Sequence, residues 1–163
     1  MLSLFLVITG FNLLCLILTA ATGYRYGGSQ VTQWHPLAGI VSTMVCVGVH
    51  CIVFTYFIAT AKWVQHAVLT KRLDAQLVTP TRSFKMQAFP AALLAMASVF
   101  AAAILGAARV NYDLSPVWHH AVAWIAIGIN ALVAVIEYRA IARNGALVDT
   151  VLAAIQLDTT AAK

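Results

Sequence analysis

The chain has 163 residues, of which 62% are hydrophobic and only 9% charged, and its mean hydropathy is +0.88. A soluble domain is about a quarter charged and about half apolar, so this chain could not cover a water-exposed surface with polar groups. The composition excludes a soluble globular enzyme, a disordered chain and a nucleic-acid-binding module, and it predicts an all-α integral membrane protein. Ten Lys and Arg against five Asp and Glu give a formal net charge of +5. In a membrane chain the position of those charges says more than their sum.

A spanning helix needs about 20 mostly apolar residues to cross about 30 Å of hydrocarbon. Residues 2–21, 37–61, 89–108 and 117–136 each qualify, and none of these segments contains Lys, Arg, Asp or Glu. The first lacks the basic leader of a signal peptide, because Arg25 is the first charged side chain, and its apolar run is too long for one. It therefore reads as a retained helix. The third is rich in small residues, with Ser98, Ala102 and Gly106 recurring every fourth position. Such a stripe lets backbones approach closely, and a close helix pair within the bundle is preferred here to dimerisation. Pro36, Pro90 and Pro116 fall at or just before expected helix starts, where a missing N–H is tolerated. Cys15, Cys46 and Cys51 lie in apolar stretches and read as packing residues rather than a disulfide framework.

The connection between the second and third segments carries Lys62, Lys71, Arg72, Arg82 and Lys85 against Asp74, and Arg139, Arg143 and Lys163 follow the fourth. The other two connections hold only Arg25 and Arg109 as basic residues. Basic residues mark the cytoplasmic side, so the expected four-helix bundle has both termini inside, with Gly23–Pro36 and Arg109–Pro116 facing outward. The expected setting is a bacterial inner membrane. The inner loop, residues 62–88, continues helical spacing through Trp63, Val64, Ala67 and Val68. The tail, about 137–157, also reads as a cytoplasmic helix that Asn144-Gly145 would interrupt. Glu137 and Arg139 are expected at the inner interface, available to the basic loop. Together the loop and tail offer a docking place for a cytoplasmic-side partner.

Five histidines carry the chemical interest: His35, His50, His66, His119 and His120. Histidine is the commonest metal ligand and a frequent haem ligand. His35, in Trp34-His35-Pro36, and His119 and His120, in Trp118-His119-His120, begin the second and fourth helices at the outer interface, at nearly equal depth. His119 and His120 differ by about 100° around the helix, so only one of them faces the core. His50 lies about 13 residues, or about 20 Å, into the second helix. Asn12 and Asn130 have similar depth on two other helices, so Asn12, His50 and Asn130 are expected to form one buried polar cluster. That cluster either holds the bundle in register or lines a cofactor. Cys46 shares the His50 face, but Met44 and Cys51 point away, so soft ligands for copper do not converge. His66 reads as solvated.

His35 and His50 are 15 residues apart, about 60° around an ideal helix, so both can face one interior at two levels. This resembles the two-level histidine arrangement of membrane b-type cytochromes, in which two helices each supply a histidine at both levels. The fourth helix departs from that pattern, because Val133 and Ala134 stand where its second histidine would be. The resemblance implies one haem b at the outer level, held by His35 and by His119 or His120, with His50 lining a second cofactor or quinone site. The function it implies is an electron-transfer or quinol-linked anchor subunit of a larger membrane complex. The alternatives are a cofactor-free accessory subunit that binds other membrane subunits, and a pigment-binding subunit acting through His50.

Overall fold

The computed structural model describes residues 1–25, 34–112 and 114–161. Most of the Gly23–Pro36 connection, the side chain of Arg25, and Lys163 lie outside the described residues. Four long helices dominate: α1 (Leu2–Arg25), α2 (Trp34–Lys71), α3 (Thr79–Tyr112) and α4 (Pro116–Ala161). A short 3₁₀ helix, η1 (Ala75–Val78), joins α2 to α3. All four long helices are long and apolar enough to cross a membrane, which points to a membrane as the place of this chain. Their surfaces agree, since Phe11, Met44, Leu93 and Leu132 are all more than half exposed while Asn12, His50, Asn130, Glu137 and Asn144 are buried. Apolar outside and polar inside is the pattern expected where lipid is the solvent.

α1 lies against α2 and α4, and α3 lies against the same two helices. Consecutive helices are antiparallel, so α2 and α4 run the same way along the shorter diagonal of the bundle. Polar contacts show their register directly. Cys46 meets Asn130 and Thr60 meets Asn144, both 84 positions apart in sequence. His35 and His119 are separated by the same offset (119 − 35 = 84) and their rings also meet. The end of the bundle that holds His35 and His119 is called the histidine end below, and the end that holds η1 the turn end.

Three apolar clusters follow one another along the axis. Leu16, Cys46, Val99 and Ala126 pack nearest the histidine end. Phe5, Val53, Phe57, Phe84, Ala88, Ala140 and Ile141 come next. Val64, Ala67, Val68 and Val151 close the turn end against Leu77 and Val78 of η1. α1 contributes nothing to the third cluster. At about 1.5 Å per residue α4 is about 69 Å long against about 36 Å for α1, so α2, α3 and α4 continue well past it.

Two helices differ from the sequence expectation. α3 begins at Thr79 rather than near Phe89, with Pro80 in its first turn and Pro90 in its interior. Most of the expected inner loop is thus helix, leaving a tight turn and η1, which Asp74 caps by accepting from the Gln76 N–H at 2.8 Å. α4 is unbroken through Asn144-Gly145. There the Asn144 side chain donates to Thr60 across the bundle at 3.0 Å instead of bonding its own backbone, so it does not terminate the helix.

Candidate functional site

The histidine end encloses a cavity of about 690 Å³ whose walls come from all four helices. Small residues make the space. Gly23, Gly39, Ala102, Gly106 and Ala123 line it, with His35 and His119 on opposite helices and Arg109 and Asn111 from the end of α3.

Each of the two histidines packs on a glycine of a neighbouring helix. A Cβ at Gly23 would lie 2.8 Å from His35 Cε1, and one at Gly106 would lie 2.9 Å from His119 Cε1. No side chain larger than hydrogen fits at either position without moving an imidazole. The small-residue stripe of α3 therefore acts inside the bundle. Gly106 seats His119, and the carbonyls of Ala102 and Ala95 accept from His119 and Asn130.

Hydrogen bonds also select the tautomers. His119 Nδ1 is 3.0 Å from the Ala102 carbonyl, which can only accept, so Nδ1 carries the proton. The Thr22 hydroxyl donates to the Thr19 carbonyl at 2.7 Å and thus accepts from His35 Nδ1 at 3.2 Å. In the neutral form of each imidazole, Nε2 is then the acceptor nitrogen. Donating the far ring N–H to a carbonyl or hydroxyl is the usual support of a metal-binding histidine. The two ring centres are 6.0 Å apart and the ring planes cross at 77°.

His120 is turned elsewhere. It stacks on Tyr24 of α1 at 4.3 Å between ring centres with planes 14° apart, and Trp124 Nε1 donates to the Tyr24 hydroxyl at 2.9 Å. It touches the cavity rim, but His119 is the residue opposite His35. The sequence could not separate this adjacent pair, because the choice depends on Gly106 and the Ala102 carbonyl on another helix.

Below the cavity the polar residues form successive levels. The hydroxyls of Thr19 and Ser42 lie 2.7 Å apart in the cavity wall. One turn further along α2, Cys46 donates to Asn130 Oδ1 at 3.3 Å, and Asn12 Nδ2 donates to the same oxygen at 3.3 Å. His50 lies one turn beyond Cys46, but it does not bond to Asn12 or Asn130. Its Nδ1 is 2.9 Å from Glu137 Oε1, and both side chains are almost fully buried, at 3% and 0% exposure. This corrects the expectation that Glu137 sits at an interface facing the basic loop. It is inside α4, its carboxylate points to the bundle axis, and it makes the one ion pair found among the described residues.

The expected cluster of Asn12, His50 and Asn130 is thus two neighbouring sites, Asn12–Asn130–Cys46 and His50–Glu137. The signal for Glu137 was present in the sequence. Asn130, Glu137 and Asn144 are spaced by seven residues, and all three are buried, so they form one seam of a long packed helix. His50 is not among the residues lining the cavity, so the structure gives no support to a second cofactor or quinone site there. His66 is exposed. Among the described residues no three His, Cys, Asp or Glu side chains converge on a metal-sized site, and Cys15, Cys46 and Cys51 are free thiols.

No protein-family model matches the chain, no curated protein matches it in sequence, and no solved structure matches its fold.

Proposed function

We propose that this chain is a membrane haem b subunit for electron transfer, in which His35 and His119 would hold the haem iron in the cavity at the histidine end. The separation of those two rings carries the reading. A ligating imidazole nitrogen lies about 2 Å from its metal, so two imidazoles that would hold one iron need ring centres about 6 Å apart. The observed separation is 6.0 Å. Three further features fit the same group. Nδ1 is the supported nitrogen of both rings, the volume of about 690 Å³ lies within the usual range of about 300–1,000 Å³ for cofactor sites, and Arg109 lies in the wall where it could pair with a propionate carboxylate. When bound, haem b supplies one-electron chemistry. The chain's own part would be to hold the group through His35 of α2 and His119 of α4 and to fix both imidazoles through Thr22 and Ala102.

In this reading the chain serves as an electron-transfer or quinol-linked subunit of a larger membrane complex in a bacterial inner membrane. The positive-inside rule favours placing the turn end in the cytoplasm, because Lys62, Lys71, Arg72, Arg82, Lys85, Arg139 and Arg143 gather there while Arg109 is at the histidine end. The cavity then opens toward the outer face, and the extended ends of α2, α3 and α4 face cytoplasmic partners.

The test is a reduced-minus-oxidised visible spectrum of the protein in detergent, with a pyridine haemochrome assay, before and after reconstitution with haemin. A b-type signal lost in His35→Ala and in His119→Ala but kept in His120→Ala is the expected result. A protein colourless under both conditions would favour the second reading, a cofactor-free accessory subunit. The polar ties at Asn130, Glu137 and Asn144, which hold α2 and α4 in register, speak for that reading.

A further inference from the structure

We propose that His50 and Glu137, with Thr9 and Asn12, form a hydrated proton-binding site inside the bundle, reached from the cavity along the row Ser42–Cys46–His50. The inference does not depend on what fills the cavity. Four buried side-chain atoms lack a hydrogen-bond partner: Thr9 Oγ1, Asn12 Oδ1, His50 Nε2 and Glu137 Oε2. They are all the unpartnered buried side-chain nitrogen and oxygen atoms among the described residues, and they come from adjoining turns of three helices. Thr9 and Asn12 are one turn apart on α1, Asn12 bonds Asn130, and Cys46 on that same asparagine is one turn from His50. Buried polar atoms gathered in this way are the usual setting of bound water, whereas apolar voids stay dry. Asn12 Oδ1 and an ionised Glu137 Oε2 only accept, the Thr9 hydroxyl both donates and accepts, and His50 Nε2 takes either role. Water can serve all four.

In apolar surroundings the pair is most stable with no net charge, which means one titratable proton shared between His50 Nδ1 and Glu137 Oε1. When negative charge enters the cavity, a second proton arrives from water and binds the carboxylate at Glu137 Oε2, because Nε2 already carries the imidazole's own proton, and the pair goes from zero to +1. It returns to water when that negative charge leaves. Ser42, Cys46 and His50 recur at four-residue spacing on one face of α2, and Ser42 is in the cavity wall beside Thr19. Ionisable residues within a membrane commonly mark proton relays. No Lys, Arg or Asp forms an ion pair with it among the described residues. α1 presents Phe5, Thr9 and Asn12, α3 presents Ala88 and Ala92, and α4 presents Val133 and Ala140. The Cys46 thiol on α2 is the one other titratable group beside it. Arg139 is exposed, Lys85 is half-buried, and neither forms an ion pair with Glu137.

Glu137 is the only glutamate in the sequence, so glutamate labelled with ¹³C at its side-chain carboxyl reports on it without mutation. Infrared difference spectra of the full chain in detergent, taken between neutral and acid pH, should show the C=O stretch of a protonated carboxyl group. That band should move with the ¹³C label and with D₂O, vanish in Glu137→Gln, and titrate at a different pH in His50→Gln. In Ser42→Ala it should persist but exchange with D₂O several-fold more slowly. A band unmoved by the label, or none while circular dichroism shows the helices intact, would overturn the proposal. A colourless protein that gives the labelled band would remove the haem reading and leave this one standing. A haem protein without the band would do the reverse.

Discussion

The same two helices treat their polar residues in opposite ways at two levels. At the histidine end, the rings of His35 and His119 meet beside a cavity, each packed on a glycine that has no side chain, and Ala102 and Ala123 add little bulk to its wall. Further along the same diagonal, His50 meets Glu137 directly at 2.9 Å, and neither side chain lines the cavity. An imidazole on α2 is common to both levels. What differs is the residue facing it on α4 and the size of the residues around it. A ring supported at Nδ1 and given room is a ligand in waiting. A ring given a carboxylate becomes a tie between helices.

The closed level offers the largest test of this contrast. Glu137→Leu leaves His50 buried without its ionic partner, and breaking one side of a buried pair costs about 3–5 kcal/mol. The double variant His50→Leu/Glu137→Leu removes both partners at similar volume and should return to within about 1 kcal/mol of the parent. Denaturant unfolding in detergent measures both, and the haem content of the double variant should be unchanged. If the double variant is as unstable as Glu137→Leu, then the level is not a simple two-residue tie. The contrast with the open level would then need redrawing.

The open level is tested through its glycines. In Gly106→Ala the new Cβ would meet His119 Cε1 at 2.9 Å and Nδ1 at 3.2 Å, and the imidazole must move off the Ala102 carbonyl that holds it. Overpacking of this kind costs about 1–3 kcal/mol, and cofactor retention should fall with it. Gly10→Ala is the matched control, because nothing lies within 4 Å of a Cβ there. It should gain about 0.5–1 kcal/mol from helix propensity and leave the site untouched. Equal spectra and equal stability in the two variants would mean that room at Gly106 is not what makes the cavity.

Hydropathy was enough to place four helices, because an apolar run of about 20 residues has few other readings. It was also enough to bring His35 and the His119–His120 pair to one depth. It misplaced Glu137 because a window average counts a carboxylate against a span and ends the span there. The seven-residue spacing of Asn130, Glu137 and Asn144 carried the opposite message, that these three side chains share one buried seam. The same averaging cut α3 short at Phe89, since Arg82, Lys85 and Gln87 lower the hydropathy of a stretch whose Phe84 and Ala88 are buried on one face. Which of His119 and His120 faces His35 was not legible at all. It is decided by a glycine and a carbonyl on α3, and neither leaves a mark in the local sequence of α4.

The smallest expected effect lies furthest from both levels, at the turn that ends α2. Arg72 has a φ of 52°, a left-handed conformation that costs a residue with a Cβ about 1 kcal/mol, and the Leu73 N–H closes the helix on the Val68 carbonyl at 3.1 Å. Glycine is the usual residue at that position. Arg72→Gly relieves the strain but gives the unfolded chain more freedom, so the net gain should be under about 1 kcal/mol. Lys62, Lys71, Arg82, Lys85, Arg139 and Arg143 remain at that end, so the orientation should hold, as labelling of a cysteine placed at Ser115 would report. The cavity and the His50–Glu137 level should not notice the change, which makes this variant the control for both. A loss of stability instead of a gain would mean that the Arg72 side chain holds a partner at the turn end, such as a lipid phosphate. A change in the visible spectrum would mean that packing at the turn end reaches the cavity through α2, and the two levels could no longer be treated as independent.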